Sequence, residues 1–160
     1  MLSIQIICTG KLKEKFYIDA AAEYQKRLSS FCRLTVTELS EERLGSDPSP
    51  AQVEGALRRE GEEILRRLPK AAAVIALCVE GQSLSSEALS RRMEAWAAQG
   101  YSQLVFVIGS SYGLHSAVKE RAQLRLSMSA MTFPHHLARV MLLEQIYRGF
   151  KISEGSSYHK

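Results

Sequence analysis

Short apolar runs alternate along this chain with longer segments whose apolar residues recur every three or four positions. The first pattern is typical of buried strands and the second of amphipathic helices. Strands are predicted over residues 2–8, 33–39, 71–79, 104–108 and 123–129. Because helical segments separate these runs, we predict an α/β fold with a mostly parallel sheet and helices on both faces.

Helical spacing fills the segments between the predicted strands. A first helix is predicted over residues 13–28, where apolar residues recur at Phe16, Ala20, Tyr24 and Leu28. Further helices are predicted over residues 50–68, 114–121 and 134–150, and one runs from Ser85 or Ser86 to a stop at Gly100. Residues 41–50 form the most loop-like stretch of the chain.

The predicted helix that begins at Pro50 carries a start signal and a charged face. Gln52 stands three residues after Ser49, which is the pattern of a capping box. Four arginines lie on the face opposite the apolar residues, at positions 58, 59, 66 and 67. Glutamates are interspersed among them, so this face is either a solvated, ion-paired surface or an RNA-binding stripe.

The composition is that of an ordinary globular protein with a mild positive charge. The 160 residues are 46% hydrophobic and 24% charged, and we expect one domain over residues 1–160. The net charge of +4 suits a polyanionic partner without identifying one. The apolar runs are too short to span a bilayer and the first residues do not resemble a secretory signal, so we expect a cytoplasmic protein.

Two neighbouring strand ends carry the candidate chemistry. The apolar run at 104–108 leads directly into Gly109-Ser-Ser-Tyr-Gly113, where the backbone can approach a ligand closely. The next predicted strand leads into the small and hydroxyl residues that precede Pro134. Because open α/β sheets bind ligands at the carboxyl ends of their strands, we predict a cleft between these two turns.

Several motifs of nucleotide and metal chemistry are missing from the sequence. The turn at 109–113 fits neither the Gly-x-Gly-x-x-Gly fingerprint nor a Gly-Lys-Ser/Thr phosphate loop. His135 and His136 are adjacent, but no carboxylate or cysteine stands at a spacing that would complete a zinc site. The three cysteines, at positions 8, 32 and 78, are far apart. We therefore expect no metal site.

Several segments together resemble one known family. They are Phe-Val-Ile-Gly-Ser-Ser-Tyr-Gly-Leu at 106–114, Leu-Ser-Met-Ser-Ala-Met-Thr-Phe-Pro-His at 126–135, Arg139, Glu-Gln-Ile-Tyr-Arg at 144–148, and Tyr158-His159. This combination resembles the RlmH family, which are SPOUT-superfamily methyltransferases of large-subunit ribosomal RNA. The resemblance extends over the whole chain. It implies a deep trefoil knot near the C-terminus, a rare exception to unknotted topology.

The resemblance also implies a reaction, a cofactor and partners. The cofactor implied is S-adenosylmethionine, and the protein is expected to work as a homodimer. The reaction implied is methylation of N3 of a pseudouridine in 23S ribosomal RNA, on assembled ribosomes.

Cofactor-binding residues are carried over from the family by motif. Leu77 is implied to contact the adenine from the end of the third strand. Gly109 and Ser110 match the Gly-Gly that follows the fourth strand, so this chain has a serine where a second glycine is common. The loop implied to wrap the adenosyl group is Met128, Ser129, Ala130, Met131, Thr132 and Phe133.

Catalytic candidates follow from the chemistry of the implied substrate, an imide nitrogen that must lose its proton. Arg139 is a candidate to stabilise the imide anion or to bind a phosphate. His159 is the candidate base, and the neighbouring Tyr158 is the third catalytic candidate. In a dimer, we expect this C-terminal tail to reach the partner's site.

Alternative interpretations remain open at this point. His135 either takes part in catalysis or caps the last helix, and Glu144 and Arg148 either serve the site or form an ordinary helical ion pair. For the whole chain, the first alternative is a non-catalytic ribosome-binding or assembly factor on the same fold. The second is a small α/β enzyme that uses another nucleotide, although it would lack a phosphate-binding motif.

Overall fold

Each apolar run predicted as a strand lies in one parallel sheet of the computed structural model, which describes residues 1–160. The strands are β1 (Ser3–Thr9), β2 (Arg33–Leu39), β3 (Ala73–Ser83), β4 (Gln103–Ile108) and β5 (Leu124–Ser127). The helices are α1 (Lys15–Leu28), α2 (Pro50–Arg67), α3 (Ser86–Ala98), α4 (Ser116–Arg121) and α5 (His135–Ser153).

The strand order is β2-β1-β4-β3-β5, and every neighbouring pair is parallel. The predicted α/β class with a parallel sheet is therefore confirmed. In this order β3 lies between β4 and β5, so the carboxyl ends of these three strands are neighbours at one edge of the sheet. The trefoil knot stays a prediction.

Helices cover both faces of the sheet, as predicted. The larger core packs α1, α3 and α5 on one face, around residues such as Leu28, Met93, Trp96 and Leu142. The smaller core packs α2 and α4 on the other face through Ile64 and Val118. Buried strand residues between the two layers, such as Phe106 and Val107, are fully excluded from solvent. None of the helices is long and apolar enough to cross a membrane.

Two predictions about individual elements were wrong. Phe16 was predicted on the buried face of α1, but its side chain is 65% exposed and the buried residues are Ala21 and Leu28. The third strand was predicted to end at Val79, whereas β3 continues to Ser83. A register shift between Leu77 and Gln82 makes this possible, because the intervening residues form an irregularity after which pairing with β5 resumes.

The start of α2 and its charged face behave as ordinary helix chemistry predicts. The Ser49 side chain accepts a hydrogen bond from the backbone N–H of Gln52, whose own side chain bonds back to Ser49, so the capping box is confirmed. All four arginines of the exposed face form ion pairs with glutamates, which favours a solvated, ion-paired face over a free RNA-binding stripe. The pairs are Arg58–Glu62, Arg59–Glu42, Arg66–Glu63 and Arg67–Glu63.

Candidate functional site

The turns after β4 and β5 lie on either side of β3, beyond the point where Leu77 precedes the irregularity of that strand. Ala76 of β3 is in register with Val107 of β4, and Leu77 is in register with Leu126 of β5. The turn after β4 begins two residues beyond Val107, and the turn after β5 begins two residues beyond Leu126. The sheet therefore brings the predicted cofactor residues Leu77, Gly109 and Met128 to one edge.

The turn at residues 109–113 is shaped by its two glycines. A Cβ added to Gly109 would lie only 2.2 Å from the carbonyl oxygen of Gly113, so no side chain fits there. Gly113 has a φ of +93°, a backbone conformation that side chains rarely adopt. The Gly113 N–H donates to the Ser110 carbonyl at 2.9 Å and closes the turn. The backbone of this turn is therefore folded tightly back on itself, and Tyr112 extends from it with 48% of its surface exposed.

Ser110 makes a buried contact to α2. Its side-chain Oγ donates to Glu60 Oε1 at 3.0 Å, and both residues are less than 10% exposed. The other oxygen of Glu60, Oε2, accepts from the backbone N–H of Glu42 at 2.9 Å. Burial raises the pKa of the Glu60 carboxyl and outweighs the opposing effect of these two hydrogen bonds. The extra Cβ and hydroxyl at position 110 are thus accommodated by a specific partner.

The turn that follows β5 holds itself together but exposes its apolar side chains. Ser127 Oγ donates to the Ser129 carbonyl at 3.1 Å, and the Met131 N–H donates to Ser129 Oγ at 2.9 Å. Two apolar residues of the same turn are nevertheless open to solvent: Met131 is 74% exposed and Phe133 is 36% exposed. Large apolar side chains held on a defined turn, without a core to pack against, are suited to contact a ligand or a partner.

A cleft of about 360 Å³ lies beside the start of this turn. It is bounded by the start of α3, the end of β5 and the middle of α5. Its walls are mixed apolar and polar side chains, including Leu84, Leu89, Leu126, Met128, Met141 and Glu144. Glu144 connects this cleft to the C-terminal tail, because Tyr158 Oη donates to Glu144 Oε2 at 3.0 Å.

The tail residues Tyr158 and His159 lie against α5 and the start of α3. Arg148 donates from Nε to Glu144 Oε1 at 2.6 Å, so the helical ion pair that was one of the two alternatives for these residues is present. Arg148 Nη1 also lies 3.1 Å from His159 Nδ1, and His159 Nε2 lies 2.5 Å from Glu87 Oε1. Because arginine can only donate, Nδ1 is the acceptor and Nε2 carries the proton toward Glu87. Both ring nitrogens of His159 are therefore engaged.

The phenol of Tyr158 is a hydrogen-bond donor in this arrangement. Burial raises its pKa, and the hydrogen bond to Glu144 and the charge of that carboxylate raise it further. The phenol therefore stays protonated at neutral pH.

Arg139 is in a different environment from the tail. Its side chain is 4% exposed, with Nη1 bonded to Glu38 Oε2 at 2.7 Å and Nη2 bonded to the Gly10 carbonyl at 3.0 Å. Burial alone would raise the pKa of Glu38, but the bonds from Arg139 and the Leu12 backbone lower it overall. Arg139 thus ties the first turn of α5 to the ends of β1 and β2. The structure does not place it in contact with Tyr158 or His159.

His135 does not cap α5, because the start of that helix has no side-chain cap bond. The Nε2 atoms of His135 and His136 are both buried and without a hydrogen-bond partner. Burial and the neighbouring His136 lower the pKa of His135, so its imidazole is neutral at neutral pH. No group of three or more His, Cys, Asp or Glu side chains is arranged to hold a metal ion.

Sequence reasoning missed the glutamates that organise this edge, namely Glu38, Glu60 and Glu87. Of these three, only Glu60 could have been identified from the sequence. It lies four residues from Ala56 and four from Ile64, which are both buried on α2, so a charged residue occupies a position of the buried stripe. A carboxylate at such a position needs partners inside the protein.

Comparison with known proteins adds a family and a set of relatives. The family model described as "Predicted SPOUT methyltransferase" matches residues 2–159. The chain is 46% identical to "Ribosomal RNA large subunit methyltransferase H" of Leuconostoc mesenteroides, over 99% of this chain and 100% of the relative. It is 48% identical to the protein of that name from Bifidobacterium animalis and 43% identical to that from Streptococcus equi, with the same coverage.

Proposed function

This chain belongs to the SPOUT methyltransferase family, and on that premise we propose that it methylates N3 of a pseudouridine in 23S ribosomal RNA. The methyl donor is S-adenosylmethionine and the substrate is the assembled ribosome. One observation carries the proposal: the strands that lead into the two turns, β4 and β5, flank β3 and are in register with it at Ala76 and Leu77. The names of the full-length relatives support ribosomal RNA of the large subunit as the target.

The residues at this edge fit an adenosyl group. The turn at 109–113 is packed so tightly on itself that no side chain fits at Gly109, and its backbone is the part that would hydrogen-bond the edge of an adenine. Leu77 is half-buried in β3, just before the irregularity of that strand, and the exposed Met131 and Phe133 supply apolar surface from the turn after β5. The bound cofactor supplies a methyl group on a sulfonium, which needs no electrophilic help from the protein.

The chain itself must position the nucleophile and remove its proton. We assign the base role to His159, which shares a hydrogen-bond network with Tyr158, Glu144 and Arg148. In the docked arrangement Nδ1 of His159 accepts from Arg148, so the imidazole takes up a substrate proton only after that bond is exchanged. Tyr158 remains protonated and donates a hydrogen bond.

We propose that Arg139 positions the start of α5 and does not contact the substrate directly. Its guanidinium is buried and bonded to Glu38 and Gly10, so it holds the start of α5 against the end of β1. Direct stabilisation of an imide anion or binding of a phosphate by Arg139 requires Glu38 to release it.

We also propose that the active form is a cytoplasmic homodimer in which the tail of one subunit reaches the site of the other. The apolar residues Phe16, Met131 and Phe133 are exposed, as expected of a surface that another subunit covers. Tyr17 follows Phe16 and its ring lies 6.2 Å from that of His136, so the start of α1 adjoins the start of α5. A dimer through this surface would place two cofactor edges near each other.

Mass spectrometry of ribosomal RNA tests the function directly. In cells that lack this protein, we expect 23S RNA to lose one methyl group, located on a pseudouridine. Purified protein with S-adenosylmethionine should restore that methyl on ribosomes from these cells, and less well on naked 23S RNA. An unchanged RNA in the deletion strain would favour the non-catalytic ribosome-binding factor instead.

A further inference from the structure

We propose that Glu60 is a positioning residue that holds the turn at 109–113 in its cofactor-binding shape through Ser110. The inference rests on the proposed function, because it treats this turn as part of the S-adenosylmethionine site. It concerns a contact between α2 and the turn that is specific to a chain with a hydroxyl at position 110.

The Glu60 carboxylate joins three parts of the structure. Oε1 accepts from Ser110 Oγ at 3.0 Å, and Oε2 accepts from the Glu42 N–H at 2.9 Å. Glu60 itself is 7% exposed in the middle of α2. One carboxylate therefore connects the turn after β4 and the segment after β2 to the same helix.

This carboxylate is buried without a compensating cation. No lysine, arginine or histidine lies within ion-pair distance of Glu60, and the nearby Glu41 and Glu42 add negative charge. A buried carboxylate with only two hydrogen bonds is costly compared with an apolar residue of similar size. A buried carboxylate that is poorly suited to stability but hydrogen-bonded to a glycine-rich turn is a candidate for a positioning role.

The turn needs such an anchor because of its glycines. Gly109 and Gly113 have no side chains to restrict the backbone, so the isolated turn has access to more conformations than an ordinary one. When only a fraction of molecules has the binding shape, the apparent Kd rises in inverse proportion to that fraction. A hydrogen bond from Ser110 to a fixed helix carboxylate increases that fraction, and a glycine at position 110 has no hydroxyl to make it.

Three variants separate the hydrogen bond from the charge. Ser110→Ala removes the donor, Glu60→Ala removes both acceptors, and Glu60→Gln removes the charge and replaces one acceptor oxygen with an NH₂ donor. In Glu60→Gln, the amide oxygen accepts from Glu42 while the amide NH₂ donates to the Ser110 hydroxyl, which is able to accept. The matched control is Ser90→Ala, which removes another buried serine hydroxyl, one that donates to the Gly149 carbonyl at 2.8 Å on the opposite face of the sheet.

Calorimetric titration with S-adenosylmethionine and with S-adenosylhomocysteine measures the effect on binding. Ser110→Ala and Glu60→Ala should raise the Kd of both compounds roughly three- to tenfold, the range of one hydrogen bond. Glu60→Gln and Ser90→Ala should remain within about twofold of the wild type. Amide hydrogen exchange of the ligand-free proteins gives a second readout: residues 111–113 should exchange faster in Ser110→Ala, and Glu42 should do so only in Glu60→Ala.

The outcomes distinguish this inference from the function on which it rests. A wild-type protein that gives no heat with either compound would overturn the cofactor site and the inference together. If the wild type binds and Ser110→Ala binds equally well, with unchanged exchange at 111–113, the positioning role is wrong and the cofactor site stands. A Glu60→Gln variant that loses affinity for the cationic S-adenosylmethionine alone would replace positioning with a direct charge effect.

Discussion

At Gly109 the backbone of the turn after β4 folds back onto Gly113, and this residue offers the sharpest test of the site. Gly109→Ala forces a Cβ to within 2.2 Å of the Gly113 carbonyl oxygen unless the turn moves. We expect a loss of about 1–3 kcal/mol in the free energy of unfolding, and binding of S-adenosylmethionine too weak to detect by calorimetry. Gly45→Ala is the control, because a Cβ at Gly45 meets nothing within 4 Å. Wild-type affinity in Gly109→Ala would exclude this turn from the site.

The buried Glu60 carboxyl should make the free energy of unfolding depend on pH, and the direction of that dependence follows from its raised pKa. Burial raises its pKa in the folded protein, with Glu41 and Glu42 adding to the rise and the bonds from Ser110 and the Glu42 backbone opposing it. At a pH below the pKa that Glu60 has in the unfolded chain, its carboxyl is protonated in both the folded and the unfolded state. As pH rises, the carboxyl ionises first in the unfolded chain, and the folded protein loses stability until its own carboxyl has ionised as well. The wild type should therefore lose stability relative to Glu60→Gln as pH rises above about 4, until the difference levels off.

Urea unfolding of the two proteins between about pH 4 and 8 measures this difference. Glu62→Gln removes a charge from an exposed position of the same helix and is the matched control. If the wild type instead gains stability relative to Glu60→Gln over this range, the hydrogen bonds outweigh burial and the assigned direction of the pKa shift is wrong.

The sequence pointed to the glycines of the candidate site but not to the hydrogen bond between Ser110 and Glu60. Gly109 and Gly113 follow directly from a strand end and a local turn pattern. The partner of Ser110 lies 50 residues away on α2, and only the packing of α2 against the sheet brings them together. For the same reason Arg139 could be named as a catalytic candidate but not as the partner of Glu38, from which it is separated by 101 residues.

At the scale of the elements, the start of α2 is a feature that local sequence rules predicted correctly. Ser49→Ala removes the side chain that accepts from the Gln52 backbone N–H and should cost about 1 kcal/mol of stability. Ser46→Ala, an exposed loop serine three residues earlier, should leave the stability unchanged. Thermal unfolding provides the comparison, and equal melting temperatures for the two variants would show that the capping box contributes nothing.

Local sequence patterns gave wrong results where an element depends on packing against residues far away in the sequence. The third strand was predicted to stop at Val79, before Glu80 and Gly81, but it resumes because β5 lies alongside it. A Cβ on Gly81 would lie 2.7 Å from the Arg125 backbone, so this glycine permits close contact between strands rather than a chain reversal. Phe16 fits the helical period of α1, yet period alone cannot say whether the sheet covers that residue.

The C-terminal tail is the element whose removal should separate binding from catalysis. Deleting residues 158–160 removes Tyr158 and His159 but leaves Leu77 and both turns in place. Methylation should fall at least a hundredfold, the scale of losing a general base, while the Kd of S-adenosylmethionine changes little. Lys160→Ala controls for changes at the chain end. Full activity of the truncated protein would remove His159 from the mechanism.

At the scale of the whole molecule, the proposed dimer explains features that a single chain leaves without a partner. The start of α1 exposes Phe16, and the turn before α5 exposes Met131 and Phe133. His159 is engaged by Arg148 and Glu87 within its own chain, so a role in the other subunit would require these bonds to be exchanged on assembly. The net charge of +4 is small for binding naked RNA but compatible with a ribosomal surface, where contacts of shape add to charge.

Phe16→Glu tests that arrangement, because it places a charge on an apolar residue that is 65% exposed. In the folded monomer the Phe16 ring packs against the ring of the neighbouring Tyr17, so little else is lost. Sedimentation analysis should find a dimer for the wild type and a monomer for Phe16→Glu, with melting temperatures that differ only by the contribution of assembly. Gln25→Glu adds the same charge to another exposed position of α1 and should remain dimeric. If the tail acts on the partner's site, the monomeric variant should retain S-adenosylmethionine binding and lose methylation. A Phe16→Glu protein that is monomeric yet fully active would place each tail in the site of its own chain, and a wild type that sediments as a monomer at micromolar concentration would refute the dimer.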